Sequence, residues 1–490
     1  MSQAAEKSRA EGPVGRFLQG KGIYLMILLF LSLFMTGLRV LDPADGGLLQ
    51  LRTARSDFED YYNASVRMRK GEDLYNMEAV QNMGDAPPPV EIKNTQDLLE
   101  FAKTPEGRAY LQSLKGAGSY LYLPFFSWAL LPLSWFSYEV AAVLFQVVSL
   151  LSLAAFFLLV GRLRSDLGQK FWYLAFLACI PVLSFLSENS ANANVGFLLI
   201  FLSGAGLLLT APELSGNDDI KSTSWMSILG GALLGIAAII KIMPAILGLF
   251  LLSRRNFRAI GAAVASALLC FLLPISLGGW QQSVHWHQDW SELMLHTYSQ
   301  YGVVRPYANN QTISAALSKL FVAGSDPKQI PLGLPFFFTS IEDLGTTGAF
   351  WLRASIKSLV YGLTAFMVFL SILFSLRRKF SDVRYRLAQI YFIQALVLVS
   401  LIVSGVSWFH AYSLLLVPVT FRMMDSAPQR REELWMLVLV GFSGVGNMIF
   451  PGLLRDIFAM FSVHTWLMLL LSVWSVLFSI RILRKEPLYG

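Results

Sequence analysis

Ile23 to Val40 reads IYLMILLFLSLFMTGLRV, eighteen residues with a single charge. As a helix, a run of this length rises far enough to cross most of a hydrocarbon core roughly 30 Å thick. Lys7, Arg9, Arg16 and Lys21 precede it. The run is longer than the apolar stretch of a secretory signal, and no A-x-A-like cleavage site follows. It is therefore expected to be a retained anchor with a cytoplasmic N-terminus.

Comparable runs recur along the 490 residues, which are 55% hydrophobic and 14% charged with mean hydropathy +0.53. Polar groups this scarce do not cover the surface of a water-soluble globule. The reading is an all-α polytopic membrane protein forming one domain over residues 1–490. The net charge of +7 is dispersed among short connections, which excludes a concentrated nucleic-acid surface. Arg162/Arg164/Lys170, Arg254/Arg255/Arg258, Arg377/Arg378/Lys379, Arg430/Arg431 and Arg481/Arg484/Lys485 fit the cytoplasmic side of a positive-inside topology. Cys179 and Cys270 each lie alone in an apolar run and read as core residues.

Twelve spans are predicted, at 23–40, 138–161, 171–187, 193–211, 226–240, 242–253, 256–278, 353–376, 385–404, 410–424, 433–451 and 461–480. The pair around Lys241 is alternatively one helix bent at Pro244. Tyr120 to Phe136, short and interrupted by Pro124 and Pro132, suits a re-entrant or interfacial element. Two large polar segments, 41–119 and 279–352, then fall outside the cytoplasm and can enclose a cleft over the bundle. The first holds 13 acids and 9 Lys or Arg, and Asp85-Ala86-Pro87-Pro88-Pro89 breaks any continuous helix within it.

The first segment also carries Asp57-Phe58-Glu59-Asp60-Tyr61-Tyr62, where proton acceptors and flat aromatic rings meet water beside a membrane. On a helix Asp57 and Asp60 share a face with Tyr61 while Glu59 points away. Among charges next to apolar runs, Lys241, His410, Glu188 and Glu139 stand out. Lys241 is either an anchor for an anionic headgroup or a snorkelling side chain. His410 either serves a phosphate or sits in an interfacial belt beside Trp408. Asn192, Asn194, Asn309, Asn310 and Gln311 can bond sugar hydroxyls or form solvated turns. His285-x-His287 puts both rings on one face of a strand, but two ligands without a third are weak support for a metal.

In chain order these landmarks resemble the GT-C class glycosyltransferases of family 87, the bacterial polyprenyl-phosphate-mannose-dependent α-mannosyltransferases. Asp57-Phe58, Tyr61-Tyr62, Gly71 and Leu74-Tyr75 resemble the post-anchor pattern, and Tyr120 to Pro124 the Tyr-x-Pro-Pro element. Gly235 through Lys241 to Pro244 is similar to the family's Gly-x-Ala-x-x-x-Lys-x-x-Pro. Asn310-Gln311-Thr312 and Ser404 to His410 match two later elements. The chain departs at Phe125, where a second proline is expected, and at Ala191-Asn192-Ala193-Asn194, which lacks the glutamine of Gly-Gln-x-Asn.

The resemblance implies a GT-C-like bundle of about twelve transmembrane helices. It implies transfer of a hexose, mannose first, from a polyprenyl phosphate donor to a lipid or glycan hydroxyl, with inversion. An arabinosyltransferase-like donor choice is one alternative, and a lipid-linked glycan flippase another. Asp57 is expected as general base with Asp60 in reserve, and Lys241, Arg305 and His410 on the phosphate. Tyr61, Tyr62, Asn192, Asn194, Asn310 and Gln311 are expected to line the sugar or acceptor pocket. No cofactor, metal or nucleic acid is expected. The expected location is the inner (plasma) membrane, with the active site on the extracytoplasmic side.

Overall fold

The computed structural model describes residues 20–41, 56–75, 120–217, 222–296, 310–319, 345–376, 383–425, 431–449 and 461–483, with scattered positions between 90 and 107 and at 458. All regular elements among them are helices. Six are long and apolar enough to cross a membrane, or seven if the pair Phe257–Leu272 and Ile275–Ser291, bent by 88°, counts as one span. Of the twelve expected spans, several are shorter pieces: Gly196–Thr210, Ser224–Ile240 and Met243–Ser253 are apolar helices of 10–17 residues. Tyr120 to Phe136 holds two short helices, Pro124–Ala129 and a 3-10 turn at Leu131–Trp135, neither long enough to cross. Large parts of both expected external segments, 41–119 and 279–352, lie outside the described residues.

We number the helices α1 (Gly22–Gly37), α2 (Asp57–Lys70), α3 (Pro124–Ala129), α4 (Tyr138–Leu163), α5 (Lys170–Cys179), α6 (Leu183–Ala191), α7 (Gly196–Thr210), α8 (Ser224–Ile240), α9 (Gly248–Ser253), α10 (Phe257–Leu272), α11 (Ile275–Ser291), α12 (Ile313–Lys319), α13 (Gly345–Leu376), α14 (Val383–Val403), α15 (Leu416–Met424), α16 (Arg431–Ile449) and α17 (Val463–Leu483). Helix α14 is the hub, 94% buried against 28% for α1 and α13. A helix apolar all round belongs inside a bundle, and three of its long polar side chains reach partners on other elements. Arg386 pairs with Asp425, Gln389 accepts from Arg254, and Gln394 donates to Ser475.

The bundle has two chemically different ends. Helix α4 starts where the Tyr138 hydroxyl meets Ser56 Oγ and the Val40 carbonyl. It finishes at Arg164, which donates to the carbonyls of Ser215 and Met424 and to Asp166. At that same basic end Arg254 pairs with Glu213 and Arg422 with Glu433. The chain climbs α8 from the basic end, turns at Lys241 and descends through Met243–Ser253. The return is fixed by Asn256 Nδ2 donating to Ser227 Oγ and by Arg258 donating to Ser224 Oγ. Two antiparallel arms therefore meet at Lys241, rather than one helix bent at Pro244.

Candidate active site

The acid-rich stretch is helix α2, and its sequence explains why. Ser56 caps the start, its Oγ accepting from the Glu59 N–H at 3.1 Å. Gly71, at φ 74°, ends it in the left-handed conformation that glycine adopts without strain. Asp57, Glu59 and Asp60 occupy the first turn and Arg67, Arg69 and Lys70 the last, so each charge favours its end of the helix dipole. Phe58, Tyr61, Ala64 and Met68 bury one face against Phe125, Phe126, Ala141 and Phe145. This second core holds the carboxylates at a fixed height over the bundle.

Beneath α2 lies a cavity of about 590 Å³, within the range of small-molecule sites. Its polar head is lined by Asp57, Asp60, Tyr61, Tyr122, Asn194, Lys241 and His410. Its apolar arm is lined by Ile242, Ile246 and Leu249 on the descending arm, Thr364 and Val368 on α13, and Val403 on α14. Glu59 is buried and does not line the cavity, as the helical reading of Asp57 and Asp60 requires.

Asn194 organises the head. Its Oδ1 accepts from the Gly196 N–H at 3.2 Å, which leaves Nδ2 to donate to Asp57 Oδ2 at 2.9 Å and to the Tyr61 hydroxyl at 3.0 Å. The Tyr61 and Tyr122 hydroxyls lie 2.8 Å apart. Gly196 is required here, because a Cβ would collide with Asn189 Oδ1 and Ser413 Oγ. Burial pushes the Tyr61 and Tyr122 hydroxyls well above their ordinary values, and the charge of Asp57 adds to the rise in both, outweighing the downward pull of the Tyr61 and Asn194 hydrogen bonds on Tyr122. Both stay neutral hydrogen-bonding groups at any physiological pH. His410 Nδ1 stands 3.8 Å from Asp57 Oδ2, and the Lys241 ammonium lies 5.8 Å from the centre of the Tyr122 ring.

Several expected site residues sit elsewhere. The Tyr62 hydroxyl donates to the Phe136 carbonyl at 2.8 Å and its ring packs edge-on against Tyr138, so the structure does not bring it into the cavity lining. Asn192 turns its amide back to Glu188 at the end of α6. Asn310 Oδ1 accepts from the Ser407 N–H, and the Gln311 N–H donates to the Ser407 carbonyl while its side chain accepts from Thr465. Asn310 and Gln311 thus fix the Gly405–Trp408 wall without lining the space. Arg305 and Asn309 lie outside the described residues. His285 and His287 lie on helix α11, not a strand. The His287 ring packs on Phe271 with Nδ1 at 2.7 Å from the Ser283 carbonyl, whereas His285 turns toward Asp289. Tyr122 and Trp290 are lining residues that the sequence reading did not single out, although Tyr120-Leu121-Tyr122 ahead of a proline marked the place.

A helical bundle with membrane-spanning helices thus surrounds one amphipathic cavity whose head presents two carboxylates, a lysine and a histidine. Residues 120–405 match glycosyltransferase family 87. That stretch is more than half of the chain, and the protein belongs to this family as a membrane glycosyltransferase. Among curated proteins and among solved structures, no match was found. The matched stretch contains Tyr122, Asn194 and Lys241. Asp57 precedes it and His410 follows it.

Proposed function

We propose that this glycosyltransferase moves a hexose, most simply mannose, from a polyprenyl phosphate to an acceptor hydroxyl, with inversion at the anomeric carbon. The observation that carries the reading is the composite cavity, in which two carboxylates, a lysine and a histidine share a head continuous with an apolar arm. The arm, between α13 and the descending Met243–Ser253 segment, has the character needed for the first isoprene units. Ile242, 50% exposed on the bundle surface, marks where the lipid would leave the protein.

The residues divide the work. Phosphate is a weak base and departs with little protonation, so the reaction needs one base for the attacking hydroxyl and positive charge for the leaving group. Asp57 serves as base, held by Asn194 and facing the cavity. Asp60 lines the same head but lacks that bond to Asn194. Lys241 and His410 meet the phosphate. Tyr61, Tyr122 and Asn194 present hydroxyl and amide groups to the sugar or acceptor. The basic residues Arg164, Arg254 and Arg422 gather at the opposite end, which supports a head facing the extracytoplasmic side of a bacterial inner membrane.

The test is transfer of radiolabelled mannose from polyprenyl-phosphate-mannose into lipid extract, comparing membranes carrying the wild type and Asp57→Asn at equal expression. Incorporation by the wild type, reduced about 10²- to 10⁴-fold in the variant, is expected when a general base is removed. Equal incorporation by both removes Asp57 from the role. No incorporation by either directs the same assay to a polyprenyl-linked pentose, the arabinosyltransferase alternative. A flippase would move its lipid without any transfer.

A further inference from the structure

Outside the sugar cavity, the end of α2 approaches α11. Asp73, three residues beyond α2, and His285 and Asp289, one turn apart on α11, offer one nitrogen and two carboxylate oxygens within 4.8 Å of one another. Asp289 is only 7% exposed, and its Oδ2 is buried with no hydrogen-bond partner, 3.4 Å from His285 Nε2. A buried carboxylate oxygen aimed at an imidazole and a second carboxylate, without a donor of its own, is costly unless a cation completes it. Asp73 uses Oδ1 to accept from the Tyr75 N–H at 3.1 Å, which orients the carboxylate and leaves Oδ2 for a further partner.

We propose that Asp73, His285 and Asp289 form a divalent transition-metal site, of the Zn²⁺ or Mn²⁺ class, that ties the first external segment to α11. Imidazole with carboxylates is a donor set these ions accept, and it disfavours Mg²⁺, which prefers oxygen ligands alone. Bonds of about 2.0–2.2 Å hold ligand atoms no more than about 4.4 Å apart. His285, whose side chain is 56% exposed, already stands 3.4 Å from Asp289 and has room to adjust toward such spacing.

The ion acts on the wall of the cavity, not on the reacting atoms. Leu74 and Tyr75, directly after Asp73, are fully buried, and the Tyr75 hydroxyl donates to the Tyr122 carbonyl at 2.8 Å. Trp290, directly after Asp289, donates from Nε1 to the Leu121 carbonyl at 3.2 Å. Both ligand-bearing segments therefore grip the Leu121-Tyr122 strip that lines the sugar head. A cation between them locks two segments more than two hundred residues apart in sequence onto that strip.

The site is tested on purified, tag-free full-length protein, with a readout that does not depend on sugar transfer. Protein stripped with EDTA, re-equilibrated with Zn²⁺ or Mn²⁺ and desalted is assayed for metal by mass spectrometry. In parallel its melting temperature is followed with and without each ion. About one equivalent per chain is expected, with a rise in melting temperature on loading. His285→Gln and Asp73→Asn, both near the surface and compatible with the fold, should lose the metal and the thermal response while eluting as the wild type does. A wild type that retains neither ion and shows no thermal response overturns the site. So does binding that survives in both variants, or a thermal response to Mg²⁺ alone.

Discussion

Asn194→Asp tests the geometry of the proposed base more sharply than removal of Asp57 itself. The substitution is nearly isosteric, and one oxygen still accepts from the Gly196 N–H, so the turn after α6 is kept. The other oxygen falls where a donor stood 2.9 Å from Asp57 Oδ2. Two carboxylates at that separation do not both ionise, and the pair retains a proton into a higher pH range. Loss of a hydrogen bond to a charged group costs about 1.5–3 kcal/mol, which corresponds to a fall in kcat/KM of about 10- to 150-fold at neutral pH. The sign is fixed by the chemistry: a base must be ionised to act, so the acidic limb of the pH–rate profile moves up and activity returns as pH rises. Asn194→Ala provides the contrast, since it deletes the bond without adding a charge and should lower the rate with little displacement of that limb. The assay is label transfer from polyprenyl-phosphate-sugar across pH 5 to about 9, in a range where carboxylate pairs titrate. Wild-type kinetics in Asn194→Asp, or identical pH profiles for the two variants, would refute Asp57 as a base held by Asn194.

Lys241→Met removes the cation expected on the departing phosphate and should reduce kcat about 10²- to 10³-fold, with partial rescue by Lys241→Arg, both read in steady-state transfer kinetics. Gly196→Ala drives a methyl into Asn189 and Ser413 and should lower stability by about 1–3 kcal/mol, visible as a lower melting temperature in detergent. Asn310→Ala strips the Ser407 N–H and Gly405 carbonyl of their partner. It should cost about 1–3 kcal/mol of stability, so transfer per folded molecule falls less than yield of folded protein. Tyr62→Phe loses only the bond to Phe136 and should leave KM for donor and acceptor unchanged, which kinetics on the purified variant would show.

Local signals in the sequence were sufficient where one element decides the outcome. Ser56 as cap, acids in the first turn, bases in the last and Gly71 beyond them all favour the helix that α2 forms, and helical spacing correctly separates Asp57, Asp60 and Tyr61 from Glu59. The same spacing explains the failure at Tyr62. One residue after Tyr61 it is turned about 100° around the axis, so adjacency in sequence placed it in a pocket that helix geometry denies it. His285-x-His287 failed through the wrong period, because a strand aligns residues two apart whereas α11 aligns His285 with Asp289. Hydropathy registers the total length of apolar chain but not its interruptions, and the turns at Ala193-Asn194 and Lys241-Ile242 divide it into helices too short to count as full spans. Those interruptions are where Asn194 and Lys241 face the cavity. The features that blur the span count are the ones that build the site.

The division between the matched region and its flanks bears on how specificity and chemistry are separated. Residues 120–405 supply most of the cavity: the Tyr120-Leu121-Tyr122 strip, Asn194, Lys241, Trp290 and the apolar arm. Asp57 and His410, which approach within 3.8 Å of each other, arrive from opposite sides of that region. Asp57 rides on a helix packed against Phe125, Phe126, Ala141 and Phe145 of that region, while His410 is set in the 3-10 turn Phe409–Leu415 and buried beside it. Asn194, from within the matched region, holds Asp57 through its Nδ2. Ile246 lines the apolar arm rather than the polar head, so a change there reshapes the arm while the carboxylate and imidazole stay in register. Changes in the packing of α2, such as Phe58→Ala, displace Asp57 while the walls supplied by residues 120–405 persist. A cost of about 3–5 kcal/mol is expected for emptying that much buried volume. The expected signature of Phe58→Ala is a loss of kcat with donor binding retained, and donor binding lost in equal measure would mean that α2 holds the donor as well as the base.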